Sequence, residues 1–484
     1  MAETTRIVIV GGGPGGYEAA LVAADHGADV TVVCNEGLGG NSVLWDCVPS
    51  KAMIVSAEAM GWMQSAYRLG VRAESDSDDV AADAVVDMAA VMDRVQRLAL
   101  EQSSDITAKV EKAGVRYVQG WGSLVDRNTV EVQPAEGAAT RFAADIVLIA
   151  TGSKPRILPF SQPDGERVFT SRELFSLREL PERLIVVGSG ATGAEYAHAF
   201  ARFGSEVHLI SSREQVLPGE DPDAAAVIET SFERWGAVIH RQMRAVDLER
   251  TTEGVRVKVA PSQGGEVAPG GQEWVEGSHV LFCIGQVPYT EDMGLAEAGV
   301  DLAENGSIPV DGVSRTSVRT VYAAGDVTGR MMLASVAAMQ GRNAMWHALG
   351  QAVSPIAWDA VSSCIFTSPE VASVGASPHQ ESTRMPMNTV HLPLRGNPRA
   401  KMAEHTEGFV KIHAMQGSGT VLGGTVVSAG ASDLIMPITV AVNTRLTVQQ
   451  LAQTLSIYPS MSGSLQETAR LLMGEPVGEF NPQA

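Results

Sequence analysis

Residues 5–16, TRIVIVGGGPGG, and residues 184–193, LIVVGSGATG, decide the fold. Each is a short apolar, β-branched run that stops on glycines in GxGxxG spacing. These are Gly11, Gly13 and Gly16 in the first, and Gly188, Gly190 and Gly193 in the second. Helical runs follow at 17–26 and 194–203, and then second apolar strands at 29–33 and 206–210. A single glycine turn of this kind is weak evidence. Strand, fingerprint, helix and second strand, met twice in one chain, predict two dinucleotide-binding units. The first glycine makes the tight turn, the second lets backbone approach a pyrophosphate, and the third lets helix pack on strand. The phosphates then sit on the helix N-terminus.

Outward from these units, residues 79–113 are rich in Ala, Val and Met with helical spacing. They predict long helices over the first sheet, with Asp79, Asp83 and Asp87 on one solvent face. Residues 130–140, with the turn signal PAEG, predict a β excursion leading into the apolar strand 145–150. PSQGGEVAPGG at 261–271 reads as a loop between two strands. From residue 354 the glycine fingerprint disappears, which marks a third domain with strands at 409–412 and 421–427 and helices at 432–442 and 448–455.

Composition narrows the class. A chain of 484 residues is long enough for about three domains. With 45% hydrophobic and 19% charged residues it has the apolar surface for a packed core. Thirty-six basic against 56 acidic residues give a net charge of −20, which repels phosphate backbones and anionic membrane surfaces. Nucleic acid is therefore not an expected partner. Only 4 cysteines, Cys34, Cys47, Cys283 and Cys364, rule out a disulfide scaffold, and without a CxxC or Cys/His cluster no metal site is expected. No signal segment and no run of about 18 apolar residues is present, so a cytoplasmic protein with no integral membrane segment is expected.

At residues 37–51, GLGGNSVLWDCVPSK, the chain resembles the flavoprotein disulfide reductases, the family of dihydrolipoamide dehydrogenase and glutathione reductase. The likeness runs nearly end to end. GGGPGGYEAA at 11–20, ATGSKP at 150–155, GSGATGAEYA at 188–197, IGQVPYT at 284–290, YAAGDVTG at 322–329 and FTSPEVASVG at 366–375 appear in the family's order. Within the family the chain is most similar to an actinobacterial NAD(P)H-quinone reductase branch that lacks the redox disulfide. The resemblance implies an α/β fold: two Rossmann-like FAD and NAD(P) domains plus a C-terminal α+β dimerisation domain. The expected boundaries are 1–155 with 283–350 for FAD, 156–282 for NAD(P), and 351–484 for the interface that makes a homodimer.

Departures from the family pattern carry the functional reading. Where members have a redox cysteine pair five apart, this chain has Ser42 and Cys47, and serine forms no disulfide. The family's C-terminal His–Glu acid/base pair is replaced by Tyr458 and Gly463. A phenol, with its ordinary pKa near ~10, is a poor base at neutral pH. Both parts of the disulfide-reducing apparatus are missing together.

The flavin-reducing half is retained. The resemblance assigns Gly11, Gly13, Gly16, Thr151, Gly152, Gly325, Asp326 and Ala334 to FAD, with Lys51 beside the flavin. Cys34 stands where the family usually has a ribose-binding acid, and Glu36 is the replacement expected two residues on. Gly188, Gly190, Gly193, Glu195 and Gly285 are assigned to NAD(P), with Ala191 where many relatives carry a tyrosine lid. The strand end Ser211-Ser212-Arg213 offers hydroxyls and a cation where NAD-selective units place an acid, which favours NADPH or at least admits it beside NADH. Lys51, Glu195, Cys47 and Tyr458 are the expected catalytic set. The implied activity is FAD-dependent NAD(P)H oxidation with a small-molecule quinone as acceptor. A soluble pyridine nucleotide transhydrogenase, a single-cysteine NAD(P)H oxidase or peroxidase, and a non-enzymatic flavin-holding subunit share the same motifs.

Overall fold

The computed structural model describes residues 4–71, 84–378 and 386–474. They fall into two compact units. The first is formed by the described parts of Met1–Met53, Asp87–Glu179 and Ile284–Ile356; the second by those of Ile54–Val86, Leu180–Cys283 and Ala357–Ala484.

In the first unit the strand order is Val321–Ala323, Ile146–Ile149, Arg6–Val10, Asp29–Cys34, Arg116–Gln119, with every pairing parallel. Alternation along Arg6–Val10 serves two cores at once. Ile7 and Ile9 pack with Ala19, Ala20 and Ala23 of the Pro14–Asp25 helix and Ala344 of the Ala334–Ala348 helix. Val8 and Val10 face the other way, onto Leu124, Val130 and Val132 of an antiparallel excursion. That excursion, Trp121–Asp126, Thr129–Gln133 and Thr140–Ala143, is the one the PAEG turn predicts. Both faces of a parallel sheet are thus buried, and its strands read as continuous apolar runs.

Two expectations change here. Among the described residues of the 79–113 region there is one helix, Met88–Lys112, and Met92, Val95, Ala99, Ile106 and Val110 form its buried stripe. Asp87 is not on its solvent face: it is the N-cap, and its carboxylate accepts the Ala90 N–H at 2.9 Å. Asp79 and Asp83 lie outside the described residues. Residues 156–179 stay with the first unit, tied there by Gln96 Nε2 donating to the Phe175 carbonyl at 2.8 Å.

The second unit repeats the pattern. Val238–His240, Glu206–Ile210, Arg183–Val187 and His279–Phe282 lie parallel in that order. An antiparallel meander, Met243–Arg250, Val255–Gln263 and Glu273–Gly277, forms a separate sheet. The expected 261–271 loop is shorter than the glycines suggest. The strand runs on to Gln263 and turns back through Glu266–Val267, because Gly264 and Gly265, both at positive φ, make a tight hairpin. The C-terminal part is a five-stranded antiparallel sheet, ordered Ser362–Ile365, Glu370–Gly375, Val421–Ser428, Phe409–Met415, Met387–Pro393. Helices Met436–Thr444, Val448–Gln453 and Gly463–Leu472 cover it through Ile438, Leu451 and Leu465. Among the described residues no helix is long and apolar enough to cross a membrane.

Candidate active site

The first fingerprint builds a cradle from backbone. Gly11 has φ +114°, a left-handed value that a side chain disfavours, and a Cβ on Gly16 would strike the Gly11 carbonyl oxygen. The Pro14–Asp25 helix starts at Gly13 with no side-chain cap; Pro14 has no N–H and the Gly16 N–H donates to the Gly13 carbonyl at 2.8 Å, which leaves the Gly13 and Gly15 N–H groups open toward the turn. The cradle opens into a cavity of about 530 Å³. Gly11, Gly13, Glu36, Thr151, Gly152, Gly325, Asp326 and Ala334 all line it, as do Ser42 and Cys47. Gly16 lies under the turn rather than on the wall, and Lys51 follows Cys47 by one turn of the Cys47–Ser65 helix without lining the cavity.

Polar groups converge at two ends of this cavity. Ser153 Oγ donates to Asp326 Oδ2 at 2.7 Å, and burial raises the Asp326 pKa, opposed by that hydrogen bond. The Asn41 amide donates to the Ser153 carbonyl, and the Gly325 N–H donates to Gln340 Oε1 at 2.8 Å. At the other end Cys34 Sγ is spent on the Gly37 carbonyl at 3.2 Å. Glu36 accepts the Trp45 indole N–H at 2.7 Å and pairs with Arg172, whose guanidinium lies 4.9 Å from the centre of the Trp45 ring. Trp121 stacks on Tyr289 at 6.0 Å beside Lys154, which pairs with Glu291. An uncapped helix end for phosphates, a carboxylate for ribose hydroxyls and an aromatic wall match the chemistry of a long dinucleotide such as FAD.

Ser42 and Cys47 stand on consecutive helices, Gly40–Leu44 and Cys47–Ser65, and not on a single one. The Ser42 hydroxyl donates to the Gly39 carbonyl at 3.0 Å. None of the four cysteines is in a disulfide.

The second fingerprint, in the second unit, has the same backbone. Gly188 has φ +109°, Gly190 leads the Ala191–Phe203 helix with no side-chain cap, and a Cβ on Gly193 would strike the Gly188 carbonyl. Of the two hydroxyls at the strand end, that of Ser211 is turned inward. It is fully buried, 2.8 Å from Ser189 Oγ, and it accepts the Arg213 N–H at 3.2 Å. Ser212 is half-buried and Arg213 is exposed. Glu195 is buried, and its Oε1 accepts the Phe366 N–H at 3.0 Å. Gly285 belongs to the first unit, where its carbonyl accepts the Arg156 N–H at 3.0 Å. Tyr458 is 84% exposed, on a segment that Asn397 anchors by donating to the Ser460 carbonyl at 3.0 Å. Among the described residues no group of three or more His, Cys, Asp or Glu is placed to hold a metal.

Arg172, Asn41 and Trp121, which line the cavity, and Trp45, which holds Glu36, are residues that sequence reading does not find. Arg172 lies 136 positions from Glu36, and no spacing rule links them.

Comparison with known proteins agrees with this geometry. Residues 5–341 match the family described as pyridine nucleotide-disulphide oxidoreductase, and residues 361–469 match its dimerisation domain. The chain is 47% identical over 479 residues to an NAD(P)H dehydrogenase (quinone) of Mycobacterium tuberculosis, covering 97% of this chain and 94% of that protein. It is 32% identical over 478 residues to dihydrolipoyl dehydrogenase 2 of Haloarcula marismortui, covering 98% of both. It is also similar to the crystal structure of LpdA from M. tuberculosis, with a TM-score of 0.89 at 46% identity, covering 97% of this chain and 100% of that one.

Proposed function

The chain belongs to the pyridine nucleotide-disulphide oxidoreductase family, and on that premise we propose that it is an FAD-dependent NAD(P)H:quinone oxidoreductase working as a cytoplasmic homodimer. One observation carries the reading: Ser42 lines the cavity where a disulfide-reducing member needs its first cysteine, and a serine forms no disulfide there. Near-half identity to an NAD(P)H dehydrogenase (quinone) supports it. FAD, when bound, would supply the two-electron chemistry: acceptance of hydride from NAD(P)H and delivery of two electrons, with two protons, to the quinone.

The chain's own residues position and stabilise. The open amides at the Pro14–Asp25 helix end hold the pyrophosphate of FAD, and Glu36, fixed by Trp45 and Arg172, takes the adenosine ribose. Thr151, Gly152, Gly325, Asp326 and Ala334 line the remainder of the flavin site. Lys51 supplies a cation that favours negative charge on the ring, and Cys47 is a small thiol beside it. In the second unit Gly188, Gly190 and Gly193 present the corresponding amides to NAD(P)H, and Glu195 serves the nicotinamide. Ser212 and Arg213 favour NADPH, or at least admit it beside NADH, since no carboxylate ends the strand to repel a 2′-phosphate. Tyr458 takes the place of the acid/base histidine and leaves lipoamide reduction unsupported.

Steady-state kinetics of the FAD-loaded protein with quinones, lipoamide and NAD⁺ test the proposal. Turnover with quinones and none with lipoamide is expected; full activity with NAD⁺ alone would make the protein a transhydrogenase. Sedimentation equilibrium should give a dimer, and a stable, active monomer would remove that part of the reading.

A further inference from the structure

Two arginines meet at one hairpin beside the second fingerprint's strand end, which itself displays only Arg213. Arg213 follows the Glu206–Ile210 strand, and Arg244 sits at the start of the Met243–Arg250 strand. Backbone bonds bring these places together: the Gln242 N–H donates to the Arg213 carbonyl at 3.0 Å, and the Met243 N–H to the Ser211 carbonyl at 2.9 Å. Both guanidinium groups reach the tip of a single hairpin, Arg213 donating to the Gly264 carbonyl and Arg244 to the Gly265 carbonyl. Ser262 fastens that hairpin to the strand end, its Oγ donating to the Ser212 carbonyl at 2.8 Å and its N–H to the Gln242 carbonyl at 2.7 Å. Gly265 is buried beneath Arg213, whose Cζ lies 2.6 Å from the point a Cβ would occupy, and its φ is +94°. Glycine is what allows the cation to lie on bare backbone there.

Two like charges converge on neighbouring carbonyls in a chain with 20 more acidic than basic residues. Arg213 has no carboxylate partner among the described residues, and Arg244 has only Glu266, 3.7 Å away and 89% exposed. A neutral carbonyl offers a guanidinium no opposite charge, whereas phosphate oxygens do, and the planar fork meets phosphate bidentately. An anion with two negative charges is therefore the natural competitor for both cations.

We propose that Arg244 is a second donor-selecting residue, and that Arg213 and Arg244 leave the hairpin carbonyls to hold the 2′-phosphate of NADPH between them. The proposal rests on the donor-site reading above and deepens it. The hairpin tip acts as a placeholder, keeping the pair near the strand end when NADH is the donor.

Calorimetric titration of the FAD-loaded protein with 2′,5′-ADP and with 5′-AMP tests this, because the two probes differ only in the 2′-phosphate. The native protein should bind 2′,5′-ADP at least about tenfold tighter than 5′-AMP, the effect of one charge-assisted contact or more. Arg244→Ala should remove most of that ratio, Arg213→Ala likewise, and Arg244→Lys should restore part of it. A ratio near one in the native protein, or an unchanged ratio in an Arg244→Ala protein with full FAD content, would overturn the proposal. Should Arg244→Ala fail to fold, Arg244→Lys decides alone: an unchanged ratio there, with binding of 5′-AMP intact, tells against the fork. No acceptor takes part in this binding. Failure here leaves the quinone reading standing, and loss of quinone turnover with the ratio intact strikes only that reading.

Discussion

Glu36→Gln should loosen FAD without unfolding its site. The carboxylate of Glu36 takes the Trp45 N–H at 2.7 Å and the Arg172 guanidinium, and the Arg172 and Glu36 side chains are 31% and 32% exposed. At that exposure the ion pair contributes at most ~1 kcal/mol to stability, so the variant should fold. Ribose hydroxyls donating to a charged carboxylate gain ~1.5–3 kcal/mol each, against ~0.5–1.5 kcal/mol for a neutral acceptor. Exchanging one for the other over the two hydroxyls of a ribose costs about 2 kcal/mol, or about thirtyfold in the Kd of FAD. The assay is reconstitution of apoprotein, followed by quenching of FAD fluorescence. Trp45 emission supplies an internal control, because its indole loses a charged partner whether or not FAD is bound. A changed Trp45 signal with the FAD Kd within about twofold of native would show that the cluster braces the wall without touching the ribose.

Cys47→Ser, with FAD retained, should lower quinone turnover by less than about tenfold, or ~1.4 kcal/mol; a larger loss would shift the reading to sulfenic-acid chemistry at that thiol. Ser42→Cys should still not give rapid lipoamide reduction, because Tyr458 and Gly463 cannot do the acid/base work; a fast dithiol assay would contradict this. Lys411→Met removes a buried ammonium that lies 2.7 Å from both Asp221 oxygens and 2.6 Å from Asp223. Breaking such a pair costs ~3–5 kcal/mol, and denaturant unfolding showing less than ~1 kcal/mol would refute it. His198 is fully buried, its ring nitrogens have no hydrogen-bond partner among the described residues, and burial pushes its pKa down to about 3 from 6.5, with Arg202 adding to the shift. The unfolded chain therefore binds a proton that the folded chain refuses between those values. Stability should fall as pH drops below about 6.5, by up to ~1.4 kcal/mol per unit, and His198→Met should flatten that slope. An unchanged slope in the variant would contradict the assignment.

What the sequence reveals follows from which constraints are local. The two fingerprints are legible because a positive φ at Gly11 and the close approach at Gly16 admit little but glycine, and each lies within a few residues of its strand. The missing disulfide is legible because serine at position 42 excludes it chemically. Asp87 misleads, because its four-residue spacing imitates a helix face, whereas the chain uses it as a cap one residue before the helix begins. The 261–271 run misleads in the other direction: its glycines mark one hairpin tip, and backbone pairing carries the strand further. The Glu36–Arg172 pair and the convergence of Arg213 with Arg244 on one hairpin are set by how distant strands and turns fold together, and no periodicity announces either. Ser211 looks like a surface donor until the strand end turns it toward Ser189.

Anaerobic reductive titration of the FAD-loaded protein counts electrons directly. A member with a redox disulfide takes up four per FAD, two on the ring and two on the sulfur pair. Oxidoreduction without a disulfide predicts two electrons per FAD, and the same count in Cys47→Ser. Four electrons in the native protein, falling to two in Cys47→Ser, would contradict the account.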